Sequence, residues 1–206
     1  NPGLALRSGA SGNMLTTNNV IKTVTDGAGG LIAVWVDERN FAVTGYDIYA
    51  QRVSAAGTVL WAASGAAVTT AAGDQGTFGN TPYFDAVPDG NGGVCVVWMD
   101  GRNVATGYDI YAQHLDASGN RTWNANDVAV CTAANTQKVP VADRDGLGGM
   151  IVAWADFRSG TSYDIYARRV LSNGTLSWTS NGNAICTDAA TQDQPVIVAT
   201  PIGGAI

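Results

Sequence analysis

Apolar residues along this chain gather in short unbroken runs and do not alternate with polar ones. The strongest runs are residues 31–35 (Leu-Ile-Ala-Val-Trp), 94–98 (Val-Cys-Val-Val-Trp) and 150–154 (Met-Ile-Val-Ala-Trp). A run of this length without alternation predicts a strand covered on both faces. Each follows a glycine turn that opens on aspartate: Asp26-Gly27, Asp89-Gly90 and Asp145-Gly146. Such turns supply the positive φ that a tight hairpin needs. Ahead of the turns, residues 20–25, 83–87 and 139–143 predict a first strand. Behind the runs, Tyr-Asp-Ile-Tyr-Ala recurs at 46–50, 108–112 and 163–167 and mixes polar with apolar positions, as a third strand further from a core would. Turns at Gly57, Gly119 and Gly174 lead to a predicted fourth strand. It starts near Trp61, Trp123 or Trp178 and closes at Val68, Val130 or Ile185.

The six tryptophans measure the period. Trp35, Trp98 and Trp154 are spaced 63 and 56 residues apart, and Trp61, Trp123 and Trp178 are spaced 62 and 55. Extra residues around 71–80 account for the longer first interval, which leaves a repeat of about 55. Four short antiparallel strands per repeat, with the second buried on both sides, predict an all-β fold: a β-propeller of four-stranded antiparallel blades. A β-sandwich would alternate in most strands and show no fixed period. Three full blades are expected at 18–70, 81–132 and 138–188. Residues 1–17 read as the outer strand of a preceding blade, and 194–206 as the start of a further one. Propellers close with four to eight blades, so the expectation is a segment of a larger propeller. The alternative is that the ragged ends join, within one chain or head to tail between copies.

Composition narrows the partners. The chain carries 11 Lys plus Arg against 17 Asp plus Glu, for a formal charge of −6, and has no basic run. That argues against nucleic acid or an anionic membrane as partner. No apolar run approaches the ~18 residues that span a bilayer, and no charged n-region with an apolar h-region opens the sequence. Cys131 and Cys186 hold the same repeat position 55 residues apart, too distant to bridge, and Cys95 reads as a small core hydrophobe.

In each repeat the second strand ends in Trp-x-Asp-x-Arg: Trp35, Asp37 and Arg39; Trp98, Asp100 and Arg102; Trp154, Asp156 and Arg158. Followed by Tyr-Asp-Ile-Tyr and a turn glycine, this resembles the blade repeats of bacterial extracytoplasmic propellers, the TolB type among them. The resemblance covers residues 20–188 and departs from the TolB pattern in its period and its fourth-strand tryptophan. It implies a secreted, cell-surface or periplasmic propeller used as scaffold, adhesin or accessory binding module.

In an up-and-down blade the loops after the second strand and the loops between blades share one face. The candidate ligand-binding residues are therefore Asp37, Arg39, Asp100, Arg102, Asp156 and Arg158, joined by Asp74 and Phe78 of the 71–80 loop. A once-per-blade Asp–Arg pair suits better a device that pins its own loop, and the 71–80 loop, which breaks the repeat, is the better candidate for something specific. The Asp-Gly turns offer oxygens to Ca2+ at Asp89, Asp143 and Asp145, but a calcium site needs six to eight, so turn chemistry is preferred and no cofactor is expected. Catalysis is not expected either. His114 replaces Arg52 and Arg169 of the other repeats, Glu38 is the lone glutamate, and no nucleophile, zinc or phosphate-loop motif is present. The reading is a non-enzymatic recognition or scaffolding module for a glycan or protein. A self-assembling unit and a polysaccharide-acting hydrolase stand as alternatives.

Overall fold

The computed structural model describes residues 20–79, 81–200 and 204, so the expectation for 1–17 lies outside the described residues. Blade one contains β1 (Lys22–Thr25), β2 (Leu31–Asp37), a single turn of helix α1 (Phe41–Thr44), β3 (Asp47–Val53) and β4 (Ala66–Thr69), in sheet order β1-β2-β3-β4. A small hairpin, β5 (Thr77–Phe78) with β6 (Thr81–Pro82), leads into blade two. That blade is β7 (Phe84–Pro88), β8 (Val94–Asp100), β9 (Asp109–Leu115) and β10 (Val128–Cys131). Blade three is β11 (Gln137–Arg144), β12 (Met150–Asp156), β13 (Asp164–Val170), and the short β14 (Leu176–Ser177) and β15 (Asn183–Cys186), both paired with β13. All strand pairs are antiparallel, and the chain is a β-propeller of four-stranded blades.

The aspartate turns work as the sequence implies. In the first, Asp26 Oδ1 accepts the backbone N–H of Ala28 (2.9 Å) and of Gly30 (2.7 Å), which closes the β1–β2 hairpin. Gly30 is required there because a Cβ would lie 2.1 Å from Val53 O on β3. The second oxygen of each turn aspartate takes a side chain from the third strand: Arg52 on Asp26, His114 on Asp89, Arg169 on Asp145. His114 thus serves where its repeat equivalents are arginines. Asp143 Oδ2 accepts Ala199 N at 2.9 Å.

The second strands are covered on both faces because blades stack face to face. One core joins Ile32, Val34, Ile48 and Trp61 of blade one to Val94, Val96 and Trp98 of blade two. The next joins Cys95, Val97, Ile110 and Trp123 of blade two to Met150, Val152 and Trp154 of blade three. The first strands β1, β7 and β11 are neighbours, which sets them around the axis. Residues 194–200 follow blade three without a named strand.

The fourth strand differs from the sequence expectation. The tryptophan does not start it; Trp61 and Trp123 lie between an isolated bridge (Val53 with Val59, Leu115 with Arg121) and the strand proper. The physical cause is a buried amide. Gln51 Oε1 accepts Trp61 N (3.0 Å) while its Nε2 donates to Ala62 O (2.6 Å). Gln113 holds Trp123 N and Asn124 O in the same way, so a side chain replaces ladder bonds and the strand breaks there. Arg168 takes this position in blade three and reaches back to Val130 O (2.8 Å).

Burial shifts the Asp109 carboxyl far enough to affect stability. Asp109 faces Asp100 across the β8–β9 ladder, and burial, reinforced by the Asp100 charge, pushes its carboxyl up to about 6. A folded-state value above the ordinary 3.8 means that the neutral acid suits the native state. Its contribution is whole at low pH and is lost as pH rises through about 6. Asp109→Asn is expected to raise stability above pH ~7 by about 1–2 kcal/mol, with the gain vanishing below pH ~4. Urea midpoints of both proteins across that range check this; a gain that persists in acid contradicts it.

Candidate functional site

The Asp–Arg pairs at the ends of the second strands are turned into their own blades. Asp37 Oδ2 accepts the indole N–H of Trp35 (2.9 Å), and Arg39 grips both oxygens through Nε (2.9 Å) and Nη2 (2.7 Å). The guanidinium carbon lies 3.7 Å from the centre of the Tyr49 ring. Asp100 and Arg102, with Trp98 and Tyr111, repeat the arrangement, as do Asp156 and Arg158 with Trp154 and Tyr166. All three carboxylates are fully buried. The hydrogen bonds and ion pair hold the Asp37 carboxyl below its usual range although burial pushes the other way. Two charges taken from water persist because both carboxylate oxygens are hydrogen-bonded and the guanidinium meets them in a bidentate pair. Asp127 adds to the second unit. Its carboxylate takes Arg102, Arg121, Gln113 and, across from blade one, Thr69 Oγ1.

The 71–80 loop also ties blades together. Asp74 Oδ1 accepts Tyr46 N (3.2 Å), and Asp74 O accepts Gly101 N (2.8 Å). Phe78 is exposed at the tip of the β5–β6 hairpin, edge-on to Tyr108 with ring centres 5.4 Å apart. Comparable aromatic pairs stand at Phe41–Tyr46 (4.8 Å) and Phe157–Tyr163 (4.9 Å).

Where the repeat breaks is more telling than where it holds. Gln75 N, Gln137 N and Gln192 N donate to Tyr46 O, Tyr108 O and Tyr163 O, at 2.8, 2.7 and 2.8 Å. These glutamines are therefore equivalent, and the next residue is Gly76, Lys138 and Asp193 in turn. On the innermost strands, the residues opposite Val34, Val97 and Ala153 are Lys22, Asp85 and Val141. The axial wall thus carries different chemistry in each blade upon one backbone plan. Lys22 Nζ lies 3.2 Å from Asp85 Oδ1, and Asp85 Oδ2 accepts Ala142 N (3.0 Å).

At the mouth of this wall an open cleft of about 480 Å³ is lined by Thr81, Tyr83, Lys138, Val139, Asp193 and Gln194–Val196. Lys138 Nζ is 3.8 Å from Asp193 Oδ2 and 3.9 Å from the centre of the Tyr163 ring. Burial, then the nearby Asp193 and Tyr83, raise the Tyr163 phenol above its ordinary value. A cation, a carboxylate and two tyrosines converge there, a set suited to a polyhydroxylated ligand: ring faces for stacking, ionic groups for hydroxyls. The sequence reading did not single out Tyr83, Lys138 or Asp193. One signal was available, since Lys22 and Lys138 are the only lysines and both fall on or beside a first strand. Among the described residues no helix is long and apolar enough to cross a membrane.

The chain matches no protein-family profile and no curated protein. Among solved structures it is similar to the GH93 α-L-arabinofuranosidase of Fusarium graminearum in complex with arabinobiose, at 9% identity and a TM-score of 0.52. That match covers 94% of this chain and 56% of that one. It is also similar to the endo-arabinase of Bacteroides thetaiotaomicron, at 15% identity and a TM-score of 0.40, over 82% of this chain and 62% of that one. The chain therefore spans somewhat over half the length of each. The first likeness supports the propeller fold and corrects the expectation of a non-enzymatic module: an arrangement of sheets like this one carries a glycoside hydrolase. Missing motifs gave no ground for excluding catalysis, because glycosidase carboxylates come from separate parts of a fold and need no local signature.

Proposed function

We propose that this chain is the blade-bearing part of a secreted, polysaccharide-acting hydrolase whose sugar lies in the axial cleft. The observation that carries the reading is the change from Gly76 to Lys138 to Asp193 at one repeat position, at the mouth of a cleft of about 480 Å³. A structural device recurs in every blade, as the buried Asp–Arg locks do. A site for an asymmetric ligand must break the symmetry.

Glycoside hydrolysis by the common routes uses two carboxylates flanking the scissile bond, one protonating the leaving oxygen and the other acting as nucleophile or base. We take Asp193, in the cleft, and Asp85, on the axial wall beyond the cleft lining, as that pair. Lys138, held over the Tyr163 ring, donates to sugar hydroxyls, and Tyr83 presents a ring face. The shared fold with an arabinofuranosidase makes arabinan and arabino-oligosaccharides the first substrates to try.

Reducing-sugar release across arabinan, xylan, galactan and glucan tests the proposal. One of them is expected to turn over, and Asp85→Asn is expected to abolish that turnover without loss of the native fold by circular dichroism. No turnover on any polysaccharide, or turnover untouched by this substitution, overturns it.

A further inference from the structure

We propose that the outer part of blade three's open face is a docking surface for a second copy of this chain, which seats its first blade there head to tail. The contact that would form already occurs twice inside the chain. Trp61 of blade one donates Nε1–H to Ala117 O in the β9–β10 turn (3.0 Å), and its ring lies where a Cβ on Gly119 would meet it at 2.9 Å. Trp123 of blade two donates to Ser172 O in blade three (2.9 Å), with its ring against Gly174 in the same manner. Both rings are buried, and Val68 and Val130 beside them are fully covered.

The same positions in blade three are open. Trp178 is 38% exposed and Ile185 is 62% exposed. Cys186 is exposed where its equivalents Thr69 and Cys131 are buried. Residues 194–200 cover only the inner part of this face. Val196 and Ile197 meet Ala153, Ile165 and Ala167 around a cavity of about 110 Å³, and Trp178 and Ile185 form the rest of its wall.

Blade one carries the complementary half on its other side. Leu31 is 39% exposed, whereas its equivalents Val94 and Met150 are fully buried by the preceding blade. The turn after β3 ends in Gly57 at φ 77°, in the same place as the ring seats Gly119 and Gly174, yet among the described residues nothing lies within 4 Å of where its Cβ would be. Continuing the interface already made twice puts Trp178 Nε1 on Ala55 O and the indole on Gly57 of the second copy. The two surfaces differ, so the association is heterologous and extends to rings or filaments, not to a two-fold dimer.

Sedimentation equilibrium of the 206-residue chain tests this. The wild-type mass is expected to rise above one copy through the micromolar range. Trp178→Asp is expected to stay single. So is Gly57→Asn, since asparagine tolerates positive φ but fills the ring seat. Each variant keeps one good surface, so an equimolar mixture is expected to form a two-copy complex and nothing larger. A wild type that remains single at every concentration, or a mixture of folded variants that does not associate, overturns the proposal.

Discussion

Replacing Asp156 with alanine is expected to lower the unfolding free energy by about 3–5 kcal/mol, the cost of stranding one member of a buried ion pair. Asp156 accepts four short hydrogen bonds, from Trp154 Nε1 (2.8 Å), Arg158 N (2.9 Å), Arg158 Nε (2.9 Å) and Arg158 Nη2 (2.6 Å), and a longer one from Gln137 Nε2 (3.4 Å). Its loss leaves an indole N–H without its acceptor in a fully buried core. It also leaves a guanidinium with Asn181 O, Cys131 Sγ and the Tyr166 ring as its neighbours among the described residues. Each stranded donor costs about 1–3 kcal/mol, against a total stability of about 5–15 kcal/mol for a folded domain. Asp100→Ala is expected to cost less, because Arg102 keeps Asp127 Oδ2 at 2.8 Å. Urea denaturation of the two variants checks both the size and the order. Losses below 1 kcal/mol, or Asp100 the costlier, contradict the lock.

The second large effect is on rate. Asp193→Asn is expected to cut polysaccharide turnover about 10²–10⁴-fold, the usual contribution of a positioned acid or base. Its thermal midpoint is expected to stay near that of the wild type. Among the described residues Asp193 makes a 3.8 Å pair with Lys138 and is about half exposed, and such a pair is worth about 0–1 kcal/mol. Lys138→Ala is expected to raise KM more than it lowers kcat, since a group that holds hydroxyls binds ground state and transition state alike. Steady-state kinetics on the best substrate of the panel separates the two. A midpoint that falls with activity would place Asp193 in the framework and not in the site.

The framework was largely legible because it repeats. Runs such as 94–98 showed doubly covered strands, Asp-Gly turns showed hairpins, and paired tryptophan series gave the blade period. What escaped was side-chain direction. Repetition favours a loop-pinning Asp–Arg pair over a binding face, but nothing in Trp-x-Asp-x-Arg says that the carboxylate turns inward to an indole N–H. The buried Gln51 and Gln113 amides that break the fourth strand likewise have no local signal; only the fold brings each to its tryptophan. The axial residues were hidden for a third reason. The equivalence of Gly76, Lys138 and Asp193 depends on glutamines whose neighbouring sequences differ, and the β5–β6 hairpin shifts the count by six or seven residues. Repetition reveals the scaffold, and departures from it become visible only when the blades are superposed.

In the proposed hydrolase, sugar enters at the axial mouth and not at the charged loop ends. Backbone amide shifts of the 206-residue chain titrated with arabino-oligosaccharides test this most directly. Saturable shifts centred on Tyr83, Lys138 and Asp193 are expected, with Arg39, Arg102 and Arg158 unmoved. Shifts centred on those three arginines, or none at any oligosaccharide tried, would contradict it.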